Sequence, residues 1–213
     1  MTKFFYMKRI LSLVFFFAVV CAQAQPKPTD LDRSPMDMSY WPANYPILKM
    51  SGKAKDMPVA RVIYSRPLKN GRAIFGGIIK YNDLWRLGAN EATEIEFFKN
   101  VKIAGKQVAK GRYTLYCIPD ENKWTLIFNK DNYAWGSFTY DPKKDLLRTD
   151  IDVDKNSETV EALTIYFDET KNGANLIFLW DELKTVLPIS VAVDNTVVPL
   201  KKTTSNKNAA PAK

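Results

Sequence analysis

The chain has 213 residues, enough for one substantial domain or two small ones, and its 31 Lys and Arg against 23 Asp and Glu leave it at +8. It contains no histidine, which removes the usual general base, the Ser-His-Asp and Cys-His constellations and the commonest zinc ligand. An enzyme built on this sequence would have to work with carboxylates, Lys, Tyr or Arg.

The N-terminus has the layout of a secretory signal peptide spanning residues 1–24. Lys3, Lys8 and Arg9 form a basic start, Ile10 to Val20 is almost wholly apolar, and Ala22-Gln23-Ala24 places small residues at a cleavage site. The apolar run falls short of the roughly 20 residues a membrane span needs, and bulky Val20 before Cys21 argues against a lipid anchor. Export, to the periplasm or the exterior, with no stable membrane anchor after cleavage, is the expectation. Cleavage removes three cations and lowers the charge to about +5; Lys201, Lys202, Lys207 and Lys213 hold most of the remainder. The body is then near neutral and shows no basic stripe, so no nucleic-acid partner is expected. Only Cys117 survives cleavage, which rules out an intramolecular disulfide; Tyr113 and Leu115 share its strand face and predict a buried, inert thiol.

Residues 25–33 read as a polar leader. Residues 34–57 form an aromatic, Pro-containing arm in which Met36 to Trp41 alternates as one short strand before Pro42 and Pro46 interrupt it. From Pro58 the pattern is β throughout. Val59 to Tyr64 is a strand, followed by an Asn70-Gly71 turn. Ile95 and Phe97 point one way, Glu94 and Glu96 the other. Val101 to Val108 is a hairpin turning at Ala104-Gly105, and Arg112 to Ile118 precedes Trp124 to Phe128. Leu147 to Val153 alternates strictly, Glu161 to Phe167 forms the next strand, Asn172-Gly173 turns it into Ala174 to Trp180, and Leu183 to Val193 closes the domain. No stretch of a dozen residues carries a 3.6-residue apolar period. Many short strands with regular turns predict a single antiparallel β-sandwich over residues 34–193, jelly-roll-like and with little helix. A domain of this size buries roughly 70% of its unfolded surface and stands without disulfides. Residues 194–213 form a Lys-rich tail expected to be disordered.

The densest cluster of site-capable side chains is Asp83-Leu84-Trp85-Arg86-Leu87-Gly88-Ala89-Asn90-Glu91. Arg86, Asn90 and Glu91 supply a donor fork, an amide and an acceptor on a glycine-bearing loop, with Trp85 beside them. Trp85 and Trp135 each have two readings: an indole of the core, or a stacking platform for a sugar or aromatic ligand. Arg66, held extended by Pro67, either reaches the same pocket or merely leaves its strand. Asn129 is turn chemistry or a ligand contact. Asp141 and Asp145 flank Lys143-Lys144 without the spacing of a calcium loop, so no metal and no cofactor are expected.

Several motifs, in order, resemble one family. They are Tyr64-Ser65-Arg66-Pro67, then Gly71-Arg72-x-Ile74-Phe75-Gly76, then Leu84-Trp85-Arg86-x-Gly88-Ala89-Asn90-Glu91-Ala92-Thr93. Gly111-x-Tyr113-x-Leu115, Trp124 to Lys130, Trp135-Gly136 and Tyr140-Asp141-x-x-x-Asp145 continue the series. Together they are similar to the domain-of-unknown-function family 2911, over about residues 34–193. The resemblance implies an exported bacterial all-β protein and brings no catalytic residues with it.

Three functions follow as expectations. The first is a cell-envelope binding or interaction module for a small polar or glycan ligand, using Trp85, Arg86, Asn90 and Glu91 with Arg66, Asn129 and Trp135 nearby. The second is a carboxylate-dependent hydrolase pairing Glu91 with Asp141 or Asp145, at about 5–5.5 Å or about 6.5–9.5 Å. The third is a structural envelope protein without a pocket. The sequence leaves the oligomeric state open.

Overall fold

The computed structural model describes residues 30–192. The stretches expected to be a signal peptide (1–24) and a disordered tail (194–213), with most of the expected polar leader, lie outside the described residues, and the account below concerns the unit that begins at Arg33.

Nine antiparallel strands form the unit: β1 (Met36–Trp41), β2 (Ala60–Ser65), β3 (Glu94–Phe97), β4 (Val101–Ile103), β5 (Lys106–Val108), β6 (Gly111–Pro119), β7 (Lys123–Asn129), β8 (Asp145–Thr170) and β9 (Gly173–Val191). They hydrogen-bond in the order β1-β2-β3-β6-β7-β8-β9-β4-β5. The fold is therefore all-β, antiparallel and sandwich-like, as the alternation predicts. Its two layers share one strand. The first part of β8, Asp145 to Asp152, pairs with β7, and from Val153 onward β8 pairs with β9. The inner face of the first layer carries Val62, Ile95, Leu115, Cys117, Leu126 and Phe128; the second supplies Leu163, Ile165, Leu176, Phe178 and Ile189. All eleven are essentially solvent-free. Each such side chain contributes about 1.5–3 kcal/mol by leaving water.

The ladder does not close into a barrel, and the first layer is fastened to β8 by individual bonds. Ser39 Oγ accepts from Phe167 N at 3.2 Å. Beyond β2, Leu163 N donates to Pro67 O at 3.1 Å and Lys69 N to Glu161 O at 2.7 Å. Lys69 also pairs with the Asp181 carboxylate.

Two features differ from expectation. A six-residue helix, α1 (Tyr45–Met50), stands where only chain breaks were foreseen. Pro46 falls in its first turn, where a missing N–H leaves no bond unmade. Second, Leu147–Val153 and Glu161–Phe167, read as two strands, are parts of one 26-residue strand. The polar run between them keeps pairing with β9 through register shifts at Lys155–Val160 and Val160–Thr164.

At one end of the sandwich the core is aromatic. Phe75 lies 5.1 Å from Trp124, 5.9 Å from Trp85 and 6.2 Å from Trp180, centroid to centroid. Trp85 stacks on Trp180 at 6.0 Å and meets Trp124 edge-on at 5.7 Å. Such pairs add about 0.5–1.5 kcal/mol each beyond their burial. This cluster is the floor on which the candidate site stands.

Candidate functional site

Residues 84–93 are locked before they reach any site. Trp85 and Cys117 exchange backbone hydrogen bonds of 2.7 and 2.8 Å, which sets Trp85 alongside β6 and turns its ring into the core. The indole Nε1 donates to Gly88 O at 3.1 Å. Leu87 takes a left-handed conformation, φ 55°, a strain of about 1–3 kcal/mol for a residue with a Cβ. Its neighbours hold it there: Leu87 is fully buried, its carbonyl accepts from Thr93 Oγ1 at 2.7 Å, and Thr93 N returns to Arg86 O at 3.1 Å. Gly88 is a close approach. A Cβ there would meet Ser65 Oγ at 2.8 Å, while Ser65 Oγ bonds both the carbonyl (2.5 Å) and the N–H (2.6 Å) of Ala89.

Above this rigid turn lies a cavity of about 380 Å³. Trp85, Trp180, Ile79, Pro67, Ile78 and Leu84 supply apolar lining, and Arg72, Lys80, Asp83 and Arg86 supply the charged part. Arg86 is the unusual member. It is half-buried, its Nε is out of solvent with no hydrogen-bond partner, and among the described residues no acid reaches it. Burial pulls its guanidinium below the ordinary arginine value. It remains a cation, as a guanidinium does across the neutral range. Arg72 is steadied by its own chain, donating from Nε to Lys69 O (2.9 Å) and from Nη2 to Leu68 O (2.5 Å). Among the described residues the lining thus sets three cations against one carboxylate, that of Asp83. A second hollow of about 370 Å³, near the β8–β9 turn, has Lys102 as its one charged wall residue.

The residues singled out in the sequence fall in three places. Trp85 and Arg86 line the cavity with Gly88 and Ala89. Trp85 contributes an edge of its buried ring and offers no open stacking face. Asn90 and Glu91 continue past the cavity wall and meet the 131–140 loop: Gly136 N donates to Asn90 O and Ala92 N to Ala134 O, both at 2.9 Å, while Glu91 bridges to Trp135. Glu91 is exposed, and Trp135, 60% exposed, sits with Tyr133 and Phe138 on an aromatic loop tip. Arg66 and Asn129 lie in neither place. Arg66 ties β2 to β1 and β8 through Asp37 (3.1 Å), Leu163 O (3.1 Å) and Thr164 Oγ1 (2.9 Å). Asn129 is fully buried, donating to Asp141 O (3.0 Å) and Asp145 Oδ1 (2.8 Å) and accepting from Asp131 N (2.8 Å).

The carboxylates weighed for hydrolysis are committed to local structure. Asp141 Oδ1 accepts from Lys143 N at 2.9 Å and caps the 3-10 turn Pro142–Lys144. Asp145 accepts from Tyr140 Oη (2.7 Å), Arg148 Nε (2.8 Å) and Asn129. Arg72, Lys80 and Trp180 belong to the cavity and were not singled out. Arg72 lies in the quoted motif Gly71–Gly76; Lys80 and Trp180 carry no local sign, since the fold alone brings them beside Arg86. Among the described residues no helix is long and apolar enough to cross a membrane, and no His, Cys, Asp and Glu group has the makings of a metal site.

A family model described as "Protein of unknown function (DUF2911)" matches residues 48–189, and the chain belongs to that family. Arg72, Lys80, Trp85, Arg86 and Trp180 all fall within the matched stretch. No curated protein and no solved structure matches the chain.

Proposed function

We propose that this member of the family is an exported binding module of the cell envelope, taking a small polar ligand into the cavity between Arg86 and the Trp85–Trp180 pair. One observation carries the reading: a half-buried guanidinium with an unpartnered Nε, held over a preformed hollow. A buried cation without a partner costs stability, so a fold retains one most readily where something else supplies the missing acceptor. The cavity lies at the small end of the range for ligand pockets, about 300–1,000 Å³, which suits a small molecule and not a polymer. Apolar walls with a few placed polar groups are the usual make-up of such sites. Export rests on the basic start, apolar run and Ala22-Gln23-Ala24 of the N-terminus.

Two measurements test this. Intact mass of the protein secreted by its native host is expected to give a chain beginning at Gln25, and a species keeping Met1 or Met7 would overturn export. For binding, a thermal-shift panel of small sugars, amino acids and organic acids is run on the parent and on Ile78→Trp, which fills the cavity from its exposed flank. A compound that raises Tm in the parent and not in Ile78→Trp is the expected result. Shifts of equal size in both proteins would place binding elsewhere and sink the cavity.

A further inference from the structure

The geometry points to a ligand class: a small organic carboxylate with an apolar body, its carboxylate held by the fork of Arg86 and its body against Ile78, Ile79 and Trp180. This rests on the cavity being the binding site. Charge comes first. Among the described residues Arg86, Arg72 and Lys80 share the cavity lining with one acid, Asp83, so the wall favours an anion over a neutral ligand. A carboxylate answers that charge, and the planar fork of a guanidinium matches its two oxygens.

Part of the backbone at the wall is closed to a phosphate. Phosphate sites draw on several backbone N–H groups turned toward the anion. Around this cavity four such donors are spent: Ile78 N on Ala73 O (3.1 Å), Ile79 N on Ile74 O (2.9 Å), Trp85 N on Cys117 O (2.7 Å) and Ala89 N on Ser65 Oγ (2.6 Å). The charge offered to an anion comes from side chains, led by one fork. The apolar flanks then select the rest of the molecule, because a fully hydrophilic ligand would leave Ile78, Ile79 and Leu84 facing nothing.

The experiment uses the secreted form, residues 25–213, and follows tryptophan emission, to which Trp85 and Trp180 contribute at the cavity wall. The probes are phenylacetate, its neutral isostere phenylacetamide, and inorganic phosphate. Phenylacetate is expected to quench saturably and to bind about tenfold or more tighter than phenylacetamide, the scale of a charge-assisted bond. Arg86→Gln removes that preference, weakening the acid far more than the amide, while Lys102→Gln, at the other hollow, retains it. Arg86→Lys keeps the charge without the fork and is expected to recover only part of the preference, which also guards against a Gln variant that folds poorly. Equal binding of acid and amide, blocked by Ile78→Trp, overturns the carboxylate and leaves the cavity standing. Tighter binding of phosphate than of phenylacetate overturns the class. Failure of all three probes overturns the inference as well, and the cavity itself falls only if the wider thermal-shift panel is also silent.

Discussion

Ser65 and Ala89 hold each other through a reciprocal pair of hydrogen bonds, the Ser65 hydroxyl donating to Ala89 O at 2.5 Å and accepting from Ala89 N at 2.6 Å. One side chain of β2 thereby satisfies both backbone groups of a loop residue in the cavity wall. Ser65→Ala leaves both without that partner and is expected to cost about 1–3 kcal/mol in urea melts. Gly88→Ala drives a methyl against the same hydroxyl at 2.8 Å. Its penalty is expected to be smaller in the Ser65→Ala background than in the parent, a coupling that a double-mutant cycle measures. Strict additivity would show that Gly88 is needed for some other reason.

Arg86 and Asp145 should respond oppositely to removal. Arg86→Met strands no opposing charge and relieves a buried guanidinium, so stability is expected to change by no more than about 1 kcal/mol, in either direction. Exposed Glu91→Ala stays within about 0.5 kcal/mol. Asp145→Ala removes the shared acceptor of Tyr140, Arg148 and Asn129 and is expected to cost about 1.5–3 kcal/mol, the scale of losing a charged acceptor in a half-exposed network. A loss of several kcal/mol in Arg86→Met would recast that residue as a structural strut.

Tyr140 gives the alkaline limb of stability a specific shape. Burial, then its hydrogen bond to Asp145 and that carboxylate's charge, push the phenol up to about 12 from an ordinary 10.0, with Arg148 opposing. The folded state therefore holds this proton more tightly than the unfolded state. The stabilisation is complete below pH 10 and disappears as pH rises toward 12. The stability gap between the parent and Tyr140→Phe is expected to narrow across that interval. A gap that stays constant would mean that Tyr140 does not titrate there.

Cys117 has no accessible surface, and burial raises its thiol well above the ordinary value. A thiol reagent applied to residues 25–213 is expected to label it only on global unfolding, at a rate that tracks the unfolding equilibrium. Fast labelling of the folded protein would place an opening at β6.

Most strands were legible because one face is buried and the other is not: Ile95 and Phe97 against Glu94 and Glu96, or Leu147 and Ile151 against Arg148 and Asp152. The helix Tyr45–Met50 was not, since six residues are too few to display a period. Continuous β8 was hidden because Asp154 to Glu158 is polar and exposed on nearly every side chain, a pattern shared by loops and by strands that lie clear of the core. At the site, local density pointed to Trp85 and Arg86, which the cavity uses. Arg66 and Asn129 looked equally available because their partners, Asp37, Thr164 and Asp145, lie 29, 98 and 16 residues away. Local reading sees a side chain's chemistry and misses the groups that occupy it.

The shared strand has a consequence for how such chains can diverge. Between Lys155 and Thr164 the β8–β9 ladder already slips twice, so an added or lost residue there only changes a bulge. The stretch Asp145–Asp152 has no such slack: past the irregularity at Asn129 it runs in register with β7, and one inserted residue would turn Leu147 and Ile151 outward or drive Arg148 in. Length variation among relatives is expected to collect in the first stretch and to be purged from the second. The middle of β8 then works as an expansion joint, letting one layer be rebuilt by insertion and deletion while the aromatic floor beneath Arg86 keeps its geometry.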